Sequence, residues 1–397
     1  MTIFNSVHKS ASFSLLLLIL FYFPSAIALD NAVDTSDKLV ALPSEVMNDK
    51  ASAQLGVPLR LMQGFTELYE AELGKSYPCQ QQVAKLEHKV CFESLRNEGN
   101  SPYILFSRAS NSPLGAHPSA KVKKPVDIVV LFHGLSDSPF FMRGIAEHLQ
   151  SSGYTVVVAL SPGHGKRDAR EDMKDDKLKE RWYRHVDDVM ALVEPFSERR
   201  FIGGFSTGGT LATRYALLNE DNIDGLLLFS AALALSNNAE RLGAIWGMKS
   251  IAKLSDGEFV SHGPHPYRYP DVAGFAGLSL ADVIFEIRDM LESGEDESGR
   301  AIDRHFPIFI AHSLADIITP YHGVDGLSQQ IEGEHHIFTI AESYDTCHQD
   351  LVMSAQMMIG LKIDKQALNI SERCAVPTPN PLFNQMMLML SYFMKSL

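Results

Sequence analysis

Short apolar runs alternate with amphipathic stretches along most of the chain after residue 100. Val126–Phe132, Tyr154–Leu160 and Gly225–Phe229 are mostly apolar runs, interrupted only by Asp127 and Thr155, and the segment from Phe140 to Leu149 has helical periodicity. Buried parallel strands have such runs because both of their faces are covered, and they alternate with helices in βαβ units. The pattern therefore predicts an α/β fold with a mostly parallel central sheet and helices on both faces.

Later segments continue this alternation. An apolar run leads into Ser206, and further strands are predicted over Pro307–Ala311 and Ile337–Ile340. Helices are predicted from about Asp172 to Val193 and from Pro381 to Leu397. Together these elements predict one α/β domain over residues 101–397.

The alternation lapses between about residue 235 and residue 304. This stretch contains an amphipathic run, Leu280–Leu291, and the acidic segment Glu292–Glu297. Ligands of open α/β sheets bind at the carboxyl ends of the strands. We therefore expect this insertion to form a cap over that edge.

The first residues have the pattern of a secretion signal. Lys9 precedes the apolar run Phe13–Phe23, and small residues end the segment at Ala28, where we expect cleavage. The run is shorter than the roughly 20 residues of a spanning helix, which predicts a secreted or periplasmic protein with no stable membrane span after cleavage. Residues 29–100 form an amino-terminal extension with helical periodicity around Leu59–Leu73 and no predicted function.

Charge and cysteine content narrow the classes of partner. The 397 residues carry a formal net charge of −13, and removing residues 1–28, which hold one lysine and no acid, makes it −14. Nucleic acid is therefore not an expected partner.

Four cysteines suit an exported protein with two disulfides. Three pairings are open, and we favour the sequence-local one, Cys79 with Cys91 and Cys347 with Cys374. Their spacing predicts no structural metal site.

The motif Gly204-Phe205-Ser206-Thr207-Gly208 follows one of the predicted strands and precedes a predicted helix. A serine at a sharp strand-to-helix turn exposes its hydroxyl, and small residues two positions before and after it allow the turn. The motif alone is common, but this context predicts a nucleophile elbow at Ser206.

A serine nucleophile needs a histidine base and a carboxylate that orients the base. Asp316 follows the predicted strand Pro307–Ala311, and His348 follows Ile337–Ile340. The order serine, acid, histidine favours Asp316 as the acid, although Asp345 shares the histidine's loop and stays open as a rival. We expect both side chains at the edge that carries Ser206.

Acyl transfer also requires two donors for the tetrahedral oxyanion. The backbone N–H of Thr207 is one candidate, and the N–H of Leu135, in the turn His133-Gly134-Leu135 after the first internal strand, is the other. The His133 side chain is expected to stabilise that turn rather than to transfer protons.

These motifs resemble the monoacylglycerol lipase, lysophospholipase and serine aminopeptidase branch of the α/β-hydrolase superfamily. The likeness covers residues 101–397, and its carriers are the stretches Leu131–Ser138, Ser161–Gly165, Gly204–Gly209 and Ser313–Asp316, with His348. The extension, the cysteines and a long segment between His348 and the last helix depart from the family pattern.

The resemblance implies an esterase with a Ser206, Asp316 and His348 triad, an oxyanion hole of Leu135 and Thr207 N–H groups, and no cofactor. Its substrate would be a small-molecule ester, such as one derived from a lipid. Two alternatives stay open. A serine aminopeptidase or amidase would need an acidic group in the cap, for which Glu292, Glu295, Asp296 and Glu297 are candidates, and a non-catalytic binding protein would keep only the fold.

Overall fold

The structure is a computed structural model that describes residues 59–80, 86–107, 126–235, 258–260, 265–269, 271–361 and 373–397. All of them belong to one compact unit, Val46–Leu397. The expected signal sequence, its cleavage site at Ala28 and the larger part of the stretch 235–264 lie outside the described residues.

The core of the molecule is a nine-stranded sheet in the order β1-β2-β3-β5-β4-β6-β7-β10-β11. From β5 to β11 all neighbours are parallel, whereas β1, β2 and β3 join the edge in antiparallel fashion. The strands of the protein are Ser76–Pro78 (β1), Glu87–Phe92 (β2), Tyr103–Leu105 (β3), Val126–Phe132 (β4), Thr155–Ala159 (β5), Ser197–Phe205 (β6), Gly225–Phe229 (β7), Glu258–Val260 (β8), Asp271–Ala273 (β9), Ile308–Ser313 (β10) and His335–Ile340 (β11). The predicted fold class, a mostly parallel sheet, is confirmed.

Helices cover both faces of this sheet. In β4, Ile128, Val130 and Phe132 pack into one hydrophobic cluster, with α1, α3, α4, α5 and α6, while Val129 and Leu131 pack into the other, with α2, α7 and α8. This alternation follows from the two-residue period of a strand and explains the continuous apolar run. The helices are Leu59–Leu73 (α1), Arg143–Ser151 (α2), Leu178–Val193 (α3), Thr207–Leu218 (α4), Gly274–Ser293 (α5), His322–Ser328 (α6), Ala355–Leu361 (α7) and Phe383–Ser396 (α8).

Part of the amino-terminal extension is built into the sheet. Strands β1 and β2 precede residue 101, and β2 pairs with β3, which pairs with β5. Helix α1 buries Leu61, Phe65 and Leu73 in the cluster it shares with β4. The described part of the extension thus supplies strands and core side chains, which the sequence analysis did not anticipate.

The described part of the insertion contains a long helix. Helix α5 spans 20 residues and includes the amphipathic run Leu280–Leu291. Its Glu286 carboxylate accepts hydrogen bonds from Arg214 of α4 at 2.6 Å and Tyr183 of α3 at 2.6 Å. Such a buried ion pair with added hydrogen bonds fixes the helix against the main domain. Among the described helices, none is both long and apolar enough to cross a bilayer.

Candidate active site

Ser206 lies at a sharp turn between β6 and α4. Its backbone has φ 53° and ψ −119°, in a region that residues other than glycine rarely adopt. Strand β6 ends at Phe205 and α4 begins at Thr207, so the serine belongs to neither element. A strained residue at such a junction indicates a functional constraint and matches the predicted nucleophile elbow.

The two motif glycines allow this turn because the backbone is crowded. A Cβ on Gly204 would lie 2.5 Å from the carbonyl carbon of Gly208 and 2.6 Å from the Phe132 oxygen. A Cβ on Gly208 would overlap the Phe132 carbonyl group. Strand β4 therefore approaches the start of α4 so closely that only glycine fits at either position.

We expect Gly208→Ala to lower the free energy of unfolding by about 1–3 kcal/mol, because the new methyl group meets backbone atoms that cannot rotate away. Gly277→Ala is the matched control. It is also a helical glycine, but its added Cβ would meet no atom within 4 Å. Alanine should therefore stabilise α5 by up to about 1 kcal/mol. Urea denaturation of both variants gives the comparison, and equal effects would contradict the close approach.

Asp316 lies in a tight loop directly after β10 and is buried. Its Oδ1 accepts the N–H groups of Ile318 and Thr319 at 2.9 and 3.1 Å, and its Oδ2 accepts the Thr319 hydroxyl at 2.8 Å. Burial by itself would raise the pKa of this carboxyl, but His348, His312 and the Thr319 N–H outweigh it and hold the pKa well below its usual range. Asp316 is therefore ionised and fixed in place.

His348 faces this carboxylate from the loop after β11. Its Nδ1 lies 2.6 Å from Asp316 Oδ2 and 3.1 Å from the Thr319 hydroxyl. The imidazole ring packs on Phe205, with ring centroids 4.6 Å apart. An ionised carboxylate at Nδ1 requires a proton on that nitrogen, which leaves Nε2 free to accept another in the neutral ring. The pair thus has the geometry of a general base with its orienting acid.

The ring of the predicted base, His348, packs on Phe205, the residue before Ser206, and so lies next to the elbow. Among the hydrogen bonds of the described residues, those of His348 go to Asp316 and Thr319, and none joins it to Ser206. Bonds between nucleophile and base are often long without substrate and shorten in the reacting complex.

The predicted oxyanion donors belong to two segments that adjoin the serine. Thr207 is the first residue of α4, so its N–H has no acceptor within the helix. A Cβ on Gly134 would lie 3.2 Å from Ser206 Cβ, which places the turn before Leu135 against the nucleophile. His133 accepts the Ser161 N–H at 3.1 Å and lies 2.8 Å from the Gly134 carbonyl, while burial holds its pKa well below the usual value. His133 therefore supports the turn as a neutral side chain.

Comparison with known proteins agrees with this architecture. Residues 123–271 match the family model described as serine aminopeptidase, S33. The structure of DcsB with a substrate analogue superposes with a TM-score of 0.50 and 10% identity over 81% of this chain and 98% of that one. The chain has the α/β-hydrolase fold. The resemblance expected from its motifs is confirmed.

Two curated relatives match parts of the chain. A thermostable monoacylglycerol lipase of Bacillus sp. strain H-257 is 33% identical over 119 residues, which cover 30% of this chain and 46% of that protein. The phospholipase YtpA of Bacillus subtilis is 27% identical over 186 residues, which cover 45% of this chain and 62% of that protein. The chain thus matches less than two thirds of either relative's length.

Asp345, the rival acid, lies elsewhere in this α/β-hydrolase. It is exposed, at φ 50°, and its carboxylate pairs with Arg373, whose Nε lies 2.9 Å away. The nearby Cys347–Cys374 disulfide joins the loop of His348 to the segment before α8, and Cys79–Cys91 forms the second bridge. This is the pairing that the sequence analysis favoured.

Two neighbours of the acid were not singled out from the sequence. Thr319 contacts both Asp316 and His348, and its hydroxyl oxygen also lies 3.3 Å from the Ser230 carbonyl. His312 lies one residue before the end of β10, fully buried, with Nε2 2.9 Å from the Thr319 carbonyl. A threonine three residues after an aspartate is a local turn signal that identifies Thr319, whereas the burial of His312 depends on tertiary packing.

The described residues of the protein contain no group of three or more His, Cys, Asp or Glu side chains arranged to hold a metal ion.

Proposed function

We propose that the protein is a secreted or periplasmic serine hydrolase that cleaves carboxylic esters through Ser206, Asp316 and His348. One observation carries the proposal. The buried Asp316 carboxylate lies 2.6 Å from His348 Nδ1, and the His348 ring packs beside the strained turn at Ser206. Those are the parts that activate a serine hydroxyl.

In the proposed reaction, His348 Nε2 takes the proton of Ser206 as its Oγ attacks the ester carbonyl. The negative oxygen of the tetrahedral intermediate accepts hydrogen bonds from the N–H groups of Leu135 and Thr207. His348 then gives its proton to the departing alcohol, and an acyl-enzyme is left. Water, deprotonated by the same histidine, releases the acid and restores the serine.

An apolar cluster next to the elbow supports an acyl chain as part of the substrate. Ala232, whose N–H donates to the Ser206 carbonyl at 3.1 Å, packs with Leu280 and Ile284 of α5, and Leu135 and Leu235 border them. The cluster therefore joins the oxyanion turn to the insertion. Together with the monoacylglycerol lipase among the relatives, it favours short to medium acyl chains or a monoacylglycerol.

The family description favours a second candidate, a serine aminopeptidase, which needs a carboxylate for the substrate's free amine. The acidic segment proposed for that role lies at the wrong end of α4. Asp296 pairs with Arg300, whose side chain donates to the Leu218 carbonyl at 2.8 Å. Leu218 ends the 12-residue helix that begins after Ser206, about 18 Å away at 1.5 Å per residue. The ester reaction is therefore the better supported.

A substrate comparison tests the proposal. We expect p-nitrophenyl esters of short and medium acyl chains to be hydrolysed at least about 100-fold faster, in kcat/KM, than aminoacyl p-nitroanilides, because an apolar cluster lies beside the elbow and the acidic segment proposed to bind an amine lies at the far end of α4. A fluorophosphonate probe should label Ser206, as peptide mass spectrometry would show. Turnover of anilides alone would favour the aminopeptidase, and absence of labelling in folded protein would favour a binding protein.

Export is the second part of the proposal. The two disulfides are compatible with an oxidising compartment. Intact mass of the protein recovered from its natural compartment should correspond to a chain that begins at Leu29.

A further inference from the structure

Asp137 is a second buried carboxylate close to the proposed active site. It is 3% exposed and lies two residues after Leu135, where its N–H donates to the Gly134 carbonyl at 3.1 Å. A Cβ on Gly134 would overlap Asp137 Oδ2 and would also contact Ser206 Cβ. The carboxylate and the serine therefore both face the side of Gly134 that a Cβ would occupy, so Asp137 lies against the oxyanion turn and close to Ser206.

Asp137 also contacts the loop of the base. Gln349, which directly follows His348, donates its Nε2 proton to Asp137 Oδ1 at 2.5 Å. Gln349 begins a 3-10 turn that ends at Val352 and is buried along most of its length. One hydrogen bond thus joins the turn that carries Leu135 to the loop that carries His348, two segments more than 200 positions apart in the sequence.

Charged groups surround Asp137 on several sides. Burial raises the pKa of its carboxyl, and this is opposed by Arg268, by His348, by the Gln349 hydrogen bond and by His164. Arg268 reaches it through Ser136, since its Nε lies 3.3 Å from Ser136 Oγ, which lies 3.4 Å from Asp137 Oδ1. Around His348, the other titratable groups are Asp316 and His312.

We infer that Asp137 is a positioning residue for ester hydrolysis, which holds the oxyanion turn and the His348 loop together through Gln349. The inference rests on the proposed function. It assigns Asp137 no contact with substrate. Its effect should therefore appear in kcat rather than in KM, since the geometry of the transition state changes while the acyl site is untouched.

The test is a kinetic cycle of Asp137→Ala, Gln349→Ala and the double variant, with a p-nitrophenyl ester and with active sites counted by fluorophosphonate titration. Each single variant should lose about tenfold in kcat with KM changed less than about twofold, because a buried hydrogen-bonded partner is removed. The double variant should lose little more than the worse single one, since both changes break the same link. Asp345→Asn, an exposed carboxylate on the same loop, is the matched control and should leave kcat unchanged.

A conservative variant separates positioning from a merely structural role. In Asp137→Asn the side-chain oxygen can still accept the Gln349 hydrogen bond, so we expect kcat to stay within about threefold of wild type. Losses that multiply in the double variant, or an Asp137→Asn variant as slow as Asp137→Ala, would overturn the inference, and Gln349→Ala alone decides the link if Asp137→Ala does not fold. A wild-type protein without esterase activity would instead defeat the proposed function.

Discussion

Ser206→Ala is expected to lower kcat/KM for a p-nitrophenyl ester by about 10⁵-fold or more. The reason is chemical: alanine offers no oxygen for the acyl-enzyme, while His348, Asp316 and the backbone donors stay in place. The small residual rate would come from water attacking a carbonyl that the oxyanion donors still polarise. Steady-state kinetics on purified wild type and variant, together with loss of fluorophosphonate labelling, give the measurement.

The fold should survive this change. Ser206 is 8% exposed, and its backbone, already at positive φ, keeps a side chain with a Cβ. Circular dichroism and urea denaturation should therefore differ little between wild type and variant. Ser197→Ala, at the opposite end of β6, is the matched control and should retain full activity. A Ser206→Ala protein with full turnover would remove Ser206 from the mechanism.

Asp316→Asn is expected to lower kcat by about 10³- to 10⁴-fold while the protein stays folded. An asparagine amide donates a hydrogen bond where the carboxylate only accepts. It would therefore favour the His348 tautomer with the proton on Nε2, which cannot take a proton from Ser206. The amide would also not stabilise the imidazolium form that the reaction requires.

The control for this variant is Asp345→Asn, since Asp345 is the other carboxylate near the base and pairs with Arg373 at the surface. An exposed ion pair contributes about 1 kcal/mol or less to stability, so activity and folding should be nearly unchanged. The opposite ranking, with Asp345→Asn the more damaging, would show that the rival acid serves His348 in solution. Kinetics at several pH values would exclude a simple shift of the optimum as the cause.

The local sequence pattern was sufficient to predict strands in the parallel part of the sheet. Val126–Phe132 and Gly225–Phe229 are strands with the predicted bounds, because a strand covered on both faces requires apolar residues at nearly every position, and Asp127 falls in the partly exposed start of the first strand. The elbow motif placed Ser206 between a strand and a helix for an equally local reason, since the glycines on both sides must fit a turn crowded by the Phe132 backbone.

The edge of the sheet was not predictable in this way. Strands β1 and β2 are short. All three residues of Ser76–Pro78 are partly or fully exposed, so no apolar run identifies this strand. Their place is set by antiparallel pairing with β3, which in turn pairs with β5. Hydrogen bonds between backbones carry little sequence signal, which is why the extension could not be assigned a role.

By itself, the sequence determined the α/β class, the elbow at Ser206 and the candidates for acid and base, because each is written in a short run of side chains whose period or turn chemistry is local. Only the tertiary structure decided that Asp316 rather than Asp345 faces His348, that Thr319 supports both, and that Gln349 joins the base loop to Asp137. These contacts join loops far apart in the chain, and the parallel sheet brings the ends of its strands together only once it has formed.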